Sequence, residues 1–272
     1  MSAVQPSVLV TGAGRGFGRA IADKFHQQGY TVVATDYDKK LLADLKDKPG
    51  YITATQDVTN TEHAAAVAAL ITEKVGRLDV IVNNAGVNAF YPLTEAPPEK
   101  TINAFMINTF GALIVSQACL ELLIASKGRV INISSESAPF RVPFQFYQAS
   151  KASLEALSDT MRRELQLFDV HVAIIRPGAI ETEMTDELDT IVNAVENSRY
   201  QKHFDKFAKM VAKNAPTRRM TVDYAAGEIY KAAADPKKKT LYELKNSLSS
   251  KVSAMLPRDL ADKIIMKMTS AS

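Results

Sequence analysis

Short apolar runs alternate with segments of helical periodicity along most of the chain. Runs rich in Val, Ile and Thr are typical of strands that are buried on both faces of a sheet. The predicted strands, of which the last is the shortest, are residues 7–10, 31–35, 51–54, 78–82, 129–134, 171–175 and 240–242. Helical spacing predicts helices at residues 18–28, 61–75, 99–126 and 150–168. This alternation predicts an α/β fold: a Rossmann-type, doubly wound parallel sheet of about seven strands with helices on both faces.

The length of 272 residues fits one domain that spans residues 1–272. After Ala179 the sequence becomes charged and helical without a strand pattern, so the region of about 180–216 is interpreted as a substrate lid. A C-terminal extension is predicted at about 235–272. Its lysine run, Lys237 to Lys239, is interpreted as solvated surface.

Composition excludes several classes of protein. Lys and Arg total 33 against 30 Asp and Glu, and a net charge of +3 is too balanced for a nucleic-acid-binding face. The hydrophobic fraction of 46% excludes a disordered chain. A single cysteine, Cys119, and four scattered histidines predict neither a disulfide nor a metal site. Without a signal-peptide pattern or an apolar run of about 18 residues, we expect a cytoplasmic protein with no membrane span.

The first predicted strand leads into a glycine-rich turn, which is followed by an amphipathic helix. Glycine lets the backbone approach a pyrophosphate closely, and a helix N-terminus offers N–H groups to an anion. The strict G-x-G-x-x-G pattern fails, because Phe17 and Arg19 stand where it needs its last glycine. The pattern T-G-x-x-x-G-x-G fits, at Thr11, Gly12, Gly16 and Gly18. Its strand–turn–helix context predicts a dinucleotide site.

Asp36 ends the second predicted strand, 18 residues beyond Gly18, where an acidic side chain can bond the adenosine ribose hydroxyls. The 2′-phosphate of NADP would face this carboxylate, and two like charges about 4 Å apart repel by roughly 4 kcal/mol at a protein surface. Arg15 could attract the same phosphate. We expect NAD(H), because Arg15 can turn into solvent whereas Asp36 is held at a strand end.

Tyr147 and Lys151 lie four residues apart near the start of a predicted helix, so both side chains point to one face. A nearby ammonium stabilises a phenolate and lowers the pKa of tyrosine from its usual value of about 10. Ser134 and Ser135 end the fifth predicted strand, at the edge of the sheet where ligands bind in α/β folds.

With these motifs in this order, the sequence resembles the short-chain dehydrogenase/reductase family from Val8 to about Thr182. The resemblance implies a catalytic tetrad of Asn108, Ser135, Tyr147 and Lys151. We choose Ser135 over Ser134 because the second serine of such a pair usually aligns with the family's serine, although 12 residues to Tyr147 is one fewer than in many members. The residues implied to contact the cofactor are Gly12, Arg15, Gly16, Phe17, Gly18, Asp36, Asp57, Val58, Asn84, Ala85, Gly86, Tyr147, Lys151, Pro177, Gly178, Ile180 and Thr182.

The mechanism that the resemblance implies is hydride transfer between the nicotinamide and a carbinol or carbonyl carbon. Tyr147 is the implied acid and base, and Ser135 bonds the substrate oxygen. Lys151 binds the nicotinamide ribose and lowers the pKa of Tyr147. Asn108 holds a water that links Lys151 to solvent. The family's long helices, here 99–126 and 150–168, imply a homodimer or homotetramer.

Several features of the sequence bear on the identity of the substrate. Phe17, the segment from Arg162 to Leu165 and the C-terminal tail resemble the branch that contains hydroxysteroid, retinol and 3-hydroxybutyrate dehydrogenases. Glu136, beside Ser135, is a candidate for bonding a polar group of the substrate. Several apolar and aromatic side chains predict either a pocket for a bulky apolar alcohol or ketone, or packing of the lid or of an oligomer face: Phe90, Tyr91, Phe140, Val142, Pro143, Phe144 and Phe146.

We therefore expect an NAD(H)-dependent hydroxysteroid dehydrogenase. The alternatives are an NADPH-dependent carbonyl or 3-oxoacyl reductase, a dehydrogenase of short hydroxy acids such as 3-hydroxybutyrate, and a non-catalytic dinucleotide sensor.

Overall fold

The computed structural model describes residues 5–88, 90–139, 142–182, 198–214, 219–245 and 256–270. Seven strands within these ranges form one parallel sheet. They are β1 (Ser7–Thr11), β2 (Thr31–Asp36), β3 (Tyr51–Thr55), β4 (Val80–Asn83), β5 (Arg129–Ile133), β6 (His171–Pro177) and β7 (Leu241–Leu244). Their order is β3-β2-β1-β4-β5-β6-β7, which confirms the predicted Rossmann-type, doubly wound sheet.

The change of winding direction falls between β1 and β4. Val8 of β1 lies opposite Val32 of β2 on one side and Val80 of β4 on the other. Because the chain winds outward in both directions from this point, a crevice opens at the carboxyl ends of β1 and β4, where such sheets bind ligands.

Helices cover both faces of the sheet. They are α1 (Gly16–Gln27), α2 (Thr61–Lys74), α3 (Pro98–Phe105), α4 (Gly111–Ala118), α5 (Leu120–Ser126), α6 (Phe146–Leu165), α7 (Gln201–Asn214), α8 (Val222–Ala234) and α9 (Arg258–Thr269). Short 3₁₀ turns occupy Lys39–Leu42 and Gln166–Phe168, and a π turn occupies Met106–Phe110.

Two apolar cores lie on the opposite faces. Successive strand residues point to opposite sides, so Val8 and Val10 join one core while Leu9 joins the other. The first core includes Phe25 of α1 and Ile229 of α8. The second is built from α2, α4, α5 and α6 and includes buried side chains such as Ile71, Val115, Leu123 and Met161. The sheet is therefore buried on both sides, as its Val- and Ile-rich strands require.

The single helix predicted over residues 99–126 is wrong. The π turn follows α3, and a 63° bend at Cys119 separates the stretch Pro98–Ala118 from α5. Val115, Cys119 and Leu123 all enter the same core, so the apolar periodicity continues through the bend and does not reveal it.

Several other boundaries differ from prediction by one to four residues. Strand β4 begins at Val80 rather than at residue 78, and the Asp79 carboxylate just before it accepts the Ser7 backbone N–H at 3.0 Å. Helix α6 begins at Phe146 rather than at residue 150. Tyr147 therefore lies within the first turn of the helix.

The predicted lid and C-terminal extension are described in part. Residues 183–197, 215–218 and 246–255 lie outside the described ranges. In the described parts of the two regions, an isolated bridge joins Ile180 to Met220, and α7 packs against α9. Lys206 Nζ of α7 donates to the Ser270 carbonyl at 2.7 Å. The division into lid and extension stays a prediction.

The described helices include no single one that is long and apolar enough to cross a membrane, although the bent pair that meets at Cys119 passes on length and composition. Apolar side chains at Ile102, Phe110, Leu167 and Phe168 are exposed by 43% to 82%. They lie on or just after helices of the two predicted oligomer regions, and the homo-oligomer stays a prediction.

Candidate active site

The glycine turn connects the buried end of β1 to α1. Gly12 and Gly16 have φ of +64° and +54°, a conformation that favours glycine. A Cβ at Gly18 would overlap the Gly12 carbonyl oxygen, and one at Gly14 would lie 2.8 Å from the Asp36 carboxylate. Glycine is therefore required for the packing of the turn as well as for its curvature. Gly14 is one of the positions where glycine is required, although it was not among the predicted cofactor-binding residues.

The N-terminus of α1 has the properties of an anion site. Arg15 is the N-cap but its side chain makes no capping bond, and the first helical turn contains no acidic residue. A Cβ on Gly16 would meet nothing within 4 Å, so this side of the turn is open. Uncapped N–H groups, the positive end of the helix dipole and an open glycine face fit a dinucleotide pyrophosphate. Phe17 instead packs partly buried against the core beside α1.

Asp36 lies under this turn at the end of β2 and is 5% exposed. Its Oδ2 accepts the Gly14 backbone N–H at 3.0 Å, and its Oδ1 accepts the Asp38 N–H at 3.2 Å. Both bonds hold the carboxylate at the carboxyl edge of the sheet, whereas Arg15 is exposed.

Asp57 and Val58, two of the predicted cofactor contacts, follow the end of β3. Asp57 Oδ1 accepts the Thr59 N–H at 2.9 Å. Val58 is 7% exposed, and a Cβ on Gly111 of α4 would lie 2.7 Å from its Cγ2. Val58 therefore packs the edge of the crevice against α4.

The segment after β4 joins the turn to the tetrad. The Thr11 hydroxyl accepts the N–H groups of Asn84 and Ala85, each at 3.1 Å. A Cβ on Gly86 would lie 3.1 Å from Asn108 Oδ1 and 3.6 Å from Lys151 Nζ. The absence of a side chain at Gly86 therefore lets these two groups come close to the backbone of the predicted cofactor segment.

Asn108 lies in the π turn, 1% exposed. Its Oδ1 accepts the Val87 N–H at 2.8 Å, and its Nδ2 donates to the Val87 carbonyl at 2.9 Å and to Ser150 Oγ at 3.0 Å. Through these bonds its side chain positions the segment after β4. The second lone pair of Oδ1 and the Asn108 backbone are the acceptors that remain for the predicted water.

Ser135 and Tyr147 meet across the crevice. Burial raises the pKa of Tyr147 to about 12, and a hydrogen bond with the Ser135 side chain opposes this rise. Ser135 Oγ also lies 2.9 Å from Ser137 Oγ. Ser134, by contrast, donates to Glu155 Oε1 at 2.6 Å and is buried. Of the two candidate serines, the structure brings Ser135 to the tyrosine.

Lys151 is 3% exposed, and its Nζ lies 5.8 Å from the centre of the Tyr147 ring. It donates to the Ile133 carbonyl at 2.7 Å. Burial lowers the pKa of Lys151 to about 8. We expected a pKa of Tyr147 below its usual value beside Lys151, but in the structure burial raises this pKa, and a lysine whose Nζ is 5.8 Å from the ring centre does not offset the rise.

A cavity of about 10 Å³ is lined by Asn108, Lys151 and Asn83. This volume suits about one water molecule. Asn83 is 5% exposed, and its Oδ1 has no hydrogen-bond partner among the described residues. Asn83 Nδ2 donates to Asn132 Oδ1 at 2.8 Å, so the cavity borders the buried polar groups of the sheet.

The carboxyl end of β6 carries the last predicted cofactor residues. The Gly178 N–H donates to the Leu244 carbonyl at 2.9 Å, and the Pro177 carbonyl accepts the Glu136 N–H at 2.9 Å. Ile180 is buried, with 8% of its surface exposed, and Thr182 is half-buried at the end of this described range. Pro177 and Gly178 therefore lie beside the segment that follows Ser135.

Phe144, one of the aromatic residues before Tyr147, belongs to a small core with α7. Phe144 is 9% exposed and packs with Phe204 and Phe207 of α7. Tyr91 contacts this cluster and a second one that contains Phe146. The structure thus favours lid packing for Phe144 and Tyr91 over an open pocket wall, while Phe140 lies outside the described residues. Phe144 has φ of +68°, a strained value that this packing holds in place.

Two polar residues near the site, Glu155 and Arg176, were not among the residues predicted from the sequence motifs. Glu155 of α6 binds Arg176 of β6, with Oε1–Nε and Oε2–Nη2 distances of 2.8 and 2.6 Å. The spacing of four residues between Lys151 and Glu155 was available in the sequence. The partner on β6 was not, because it depends on the order of the strands.

Known proteins resemble this chain in sequence and in fold. The family model for short chain dehydrogenase matches residues 6–192. The chain is 36% identical over 184 residues to 17-beta-hydroxysteroid dehydrogenase type 6 of Rattus norvegicus, a match that covers 66% of the chain and 58% of that enzyme. It is 31% identical to the NADPH-dependent 3-dehydrocapnine reductase of Ornithobacterium rhinotracheale, over 95% of both. A solved short-chain dehydrogenase from Streptomyces avermitilis is 27% identical, with a TM-score of 0.78 over 98% of this chain and 96% of its own.

Proposed function

The chain belongs to the short-chain dehydrogenase family of oxidoreductases, whose members bind a nicotinamide dinucleotide, and on that premise we propose that it interconverts a secondary alcohol and a ketone with NAD(H). The observation that carries the proposal is the meeting of Ser135, Tyr147 and Lys151 at the carboxyl end of β5, beside a glycine turn suited to a pyrophosphate.

A bound nicotinamide supplies the hydride donor or acceptor. Ser135 orients the substrate oxygen, and Tyr147 takes or gives the proton at that oxygen through its hydroxyl. The Lys151 ammonium stabilises the tyrosinate that forms when Tyr147 acts as a base. Asn108 holds the segment after β4, and thereby Gly86, against this group.

Asp36 supports NAD(H) over NADP(H). Its carboxylate is bonded to the Gly14 and Asp38 N–H groups, so it cannot turn away from a 2′-phosphate without losing both bonds. A specific observation favours the alternative: the reductase that matches over 95% of this chain is NADPH-dependent by name.

Asp36→Asn tests this choice, because the amide oxygen can still accept from Gly14 while the negative charge is removed. We expect the wild-type protein to have a higher kcat/KM with NAD⁺, and the substitution to reduce the NAD⁺/NADP⁺ ratio of kcat/KM by about tenfold or more, since tenfold corresponds to roughly 1.4 kcal/mol. Asp38→Asn, which removes the same charge two residues later, is the matched control and should leave the ratio near the wild-type value. A wild-type preference for NADPH would support the carbonyl-reductase alternative.

For the substrate we propose a bulky apolar alcohol or ketone, with a hydroxysteroid first. The proposal is supported by the similarity to the rat hydroxysteroid dehydrogenase. Initial rates with NAD⁺ should be measured on a panel of steroid, retinoid, short hydroxy-acid and sugar alcohols. We expect steroid alcohols to give the highest kcat/KM, and activity confined to short hydroxy acids would rule the steroid proposal out.

A further inference from the structure

Glu155 links three elements that carry the proposed active-site residues. On α6 it lies one helical turn after Lys151. It binds Arg176 of β6 through both carboxylate oxygens, at 2.8 and 2.6 Å, and accepts the Ser134 hydroxyl of the segment after β5 at 2.6 Å. The Glu155 and Arg176 side chains are only 15% and 21% exposed. Such a planar, two-point pairing fixes orientation more strongly than a single contact.

Each of the two residues that Glu155 holds is next to a proposed site residue. Ser134 is 1% exposed and immediately precedes Ser135. Arg176 immediately precedes Pro177, whose carbonyl accepts the Glu136 N–H at 2.9 Å. A shift of the Glu155 carboxylate would therefore reach the substrate-binding serine, the nicotinamide-side turn and the lysine together.

Glu155 also acts on Lys151 by charge. The lysine ammonium is buried, and the groups around it are the Tyr147 ring on α6, the Asn108 amide, the Ile133 carbonyl and the Glu155 carboxylate. Burial lowers the pKa of Lys151 to about 8, and Glu155 opposes this lowering. Arg176 of β6 in turn faces two carboxylates, that of Glu155 on α6 and that of Glu243 on β7.

We infer that Glu155 is a positioning residue for the reaction proposed above, on which the inference rests: paired with Arg176 and Ser134, it keeps Lys151 charged and holds the ends of β5 and β6 against α6. The Arg176 cation offsets part of the negative charge that the Glu155 carboxylate places near Lys151. Neither residue touches the reacting atoms.

Two substitutions that break the same ion pair should move Lys151 in opposite directions. Glu155→Gln leaves the Arg176 cation unbalanced, so the ammonium is disfavoured and the pKa of Lys151 falls by about one unit. Arg176→Gln leaves the Glu155 carboxylate unbalanced, so the pKa of Lys151 rises by about the same amount. A purely structural ion pair would make both variants less stable without this reversal of sign.

The lysine can be observed without a substrate. The ¹³Cε shift of Lys151, assigned by its loss in Lys151→Met, is titrated by NMR in the wild type and in both variants. Asp159→Asn is the matched control, because it breaks an ion pair with Arg162 on the same helix, where the contact is 3.1 Å and Asp159 is 46% exposed. We expect the control to titrate as the wild type does. If a single variant does not fold, the double variant Glu155→Gln/Arg176→Gln is titrated, and its Lys151 pKa should fall below the wild-type value, because the nearer charge is lost.

The pH profile of kcat/KM for alcohol oxidation gives the second readout. Activity should fall at high pH as the ammonium is lost, and this fall should begin at lower pH in Glu155→Gln and at higher pH in Arg176→Gln. Equal or absent shifts of Lys151 in the folded variants would overturn the inference, even in an active enzyme. Opposite shifts in a protein without any alcohol or ketone turnover would support the inference on Lys151 and contradict the proposed function.

Discussion

Tyr147→Phe is expected to lower turnover of an alcohol by at least about 10²-fold, the usual contribution of a general acid or base. The ring keeps its half-buried position, so only the hydroxyl that moves the proton, and that bonds to Ser135, is lost. Steady-state rates with NAD⁺ measure the loss. NADH binding, followed by nucleotide fluorescence, should stay within about fivefold of the wild type, because a single lost hydrogen bond changes a free energy by about 1 kcal/mol.

Tyr51→Phe is a matched control for this experiment. Its hydroxyl donates to Asp23 at 2.5 Å, at the amino end of β3 and away from the crevice. We expect turnover close to that of the wild type, so a loss in both variants would indicate a general effect of removing a tyrosine hydroxyl. Near-normal turnover in Tyr147→Phe would remove Tyr147 from its proposed role.

Gly18→Ala is expected to weaken NADH binding by roughly 10- to 100-fold, since overpacking typically costs about 1–3 kcal/mol and 1.4 kcal/mol is tenfold in affinity. The added methyl group would overlap the Gly12 carbonyl oxygen and lie 2.5 Å from Asn84 Nδ2. One of the two segments that form the turn must therefore move. Fluorescence titration measures the affinity, and thermal unfolding shows whether the remaining protein is folded.

Gly227→Ala provides the matched substitution in α8. A Cβ there meets nothing within 4 Å. Alanine should stabilise the helix by up to about 1 kcal/mol and leave NADH affinity unchanged. If Gly18→Ala bound NADH as tightly as Gly227→Ala does, the turn would not be the pyrophosphate site.

Local patterns in the sequence predicted much of the site because its chemistry repeats over short distances. Tyr147 and Lys151 are one helical turn apart, so their common face follows from the helix itself. The turn from Gly12 to Gly18 follows directly after a buried strand, so its position at a sheet edge follows too. Similar local reasoning predicted Asp36 at the end of β2.

Other features depended on contacts between distant segments. Apolar periodicity could not reveal the bend at Cys119, because both sides of the bend face one core. The aromatic side chain of Phe144 suited a pocket or a lid equally until α7 covered it. The direction of the Tyr147 pKa also required the fold, since desolvation depends on everything that surrounds a group.

The sequence by itself determined the alternation of strands and helices, the glycine turn, the tyrosine–lysine pair and the family, because periodicity and spacing are properties of neighbouring residues. Only the tertiary structure decided the order of the strands, which of two adjacent serines reaches Tyr147, and the pairing of Glu155 with Arg176. These depend on which distant segments the buried sheet brings together and on how much water they exclude.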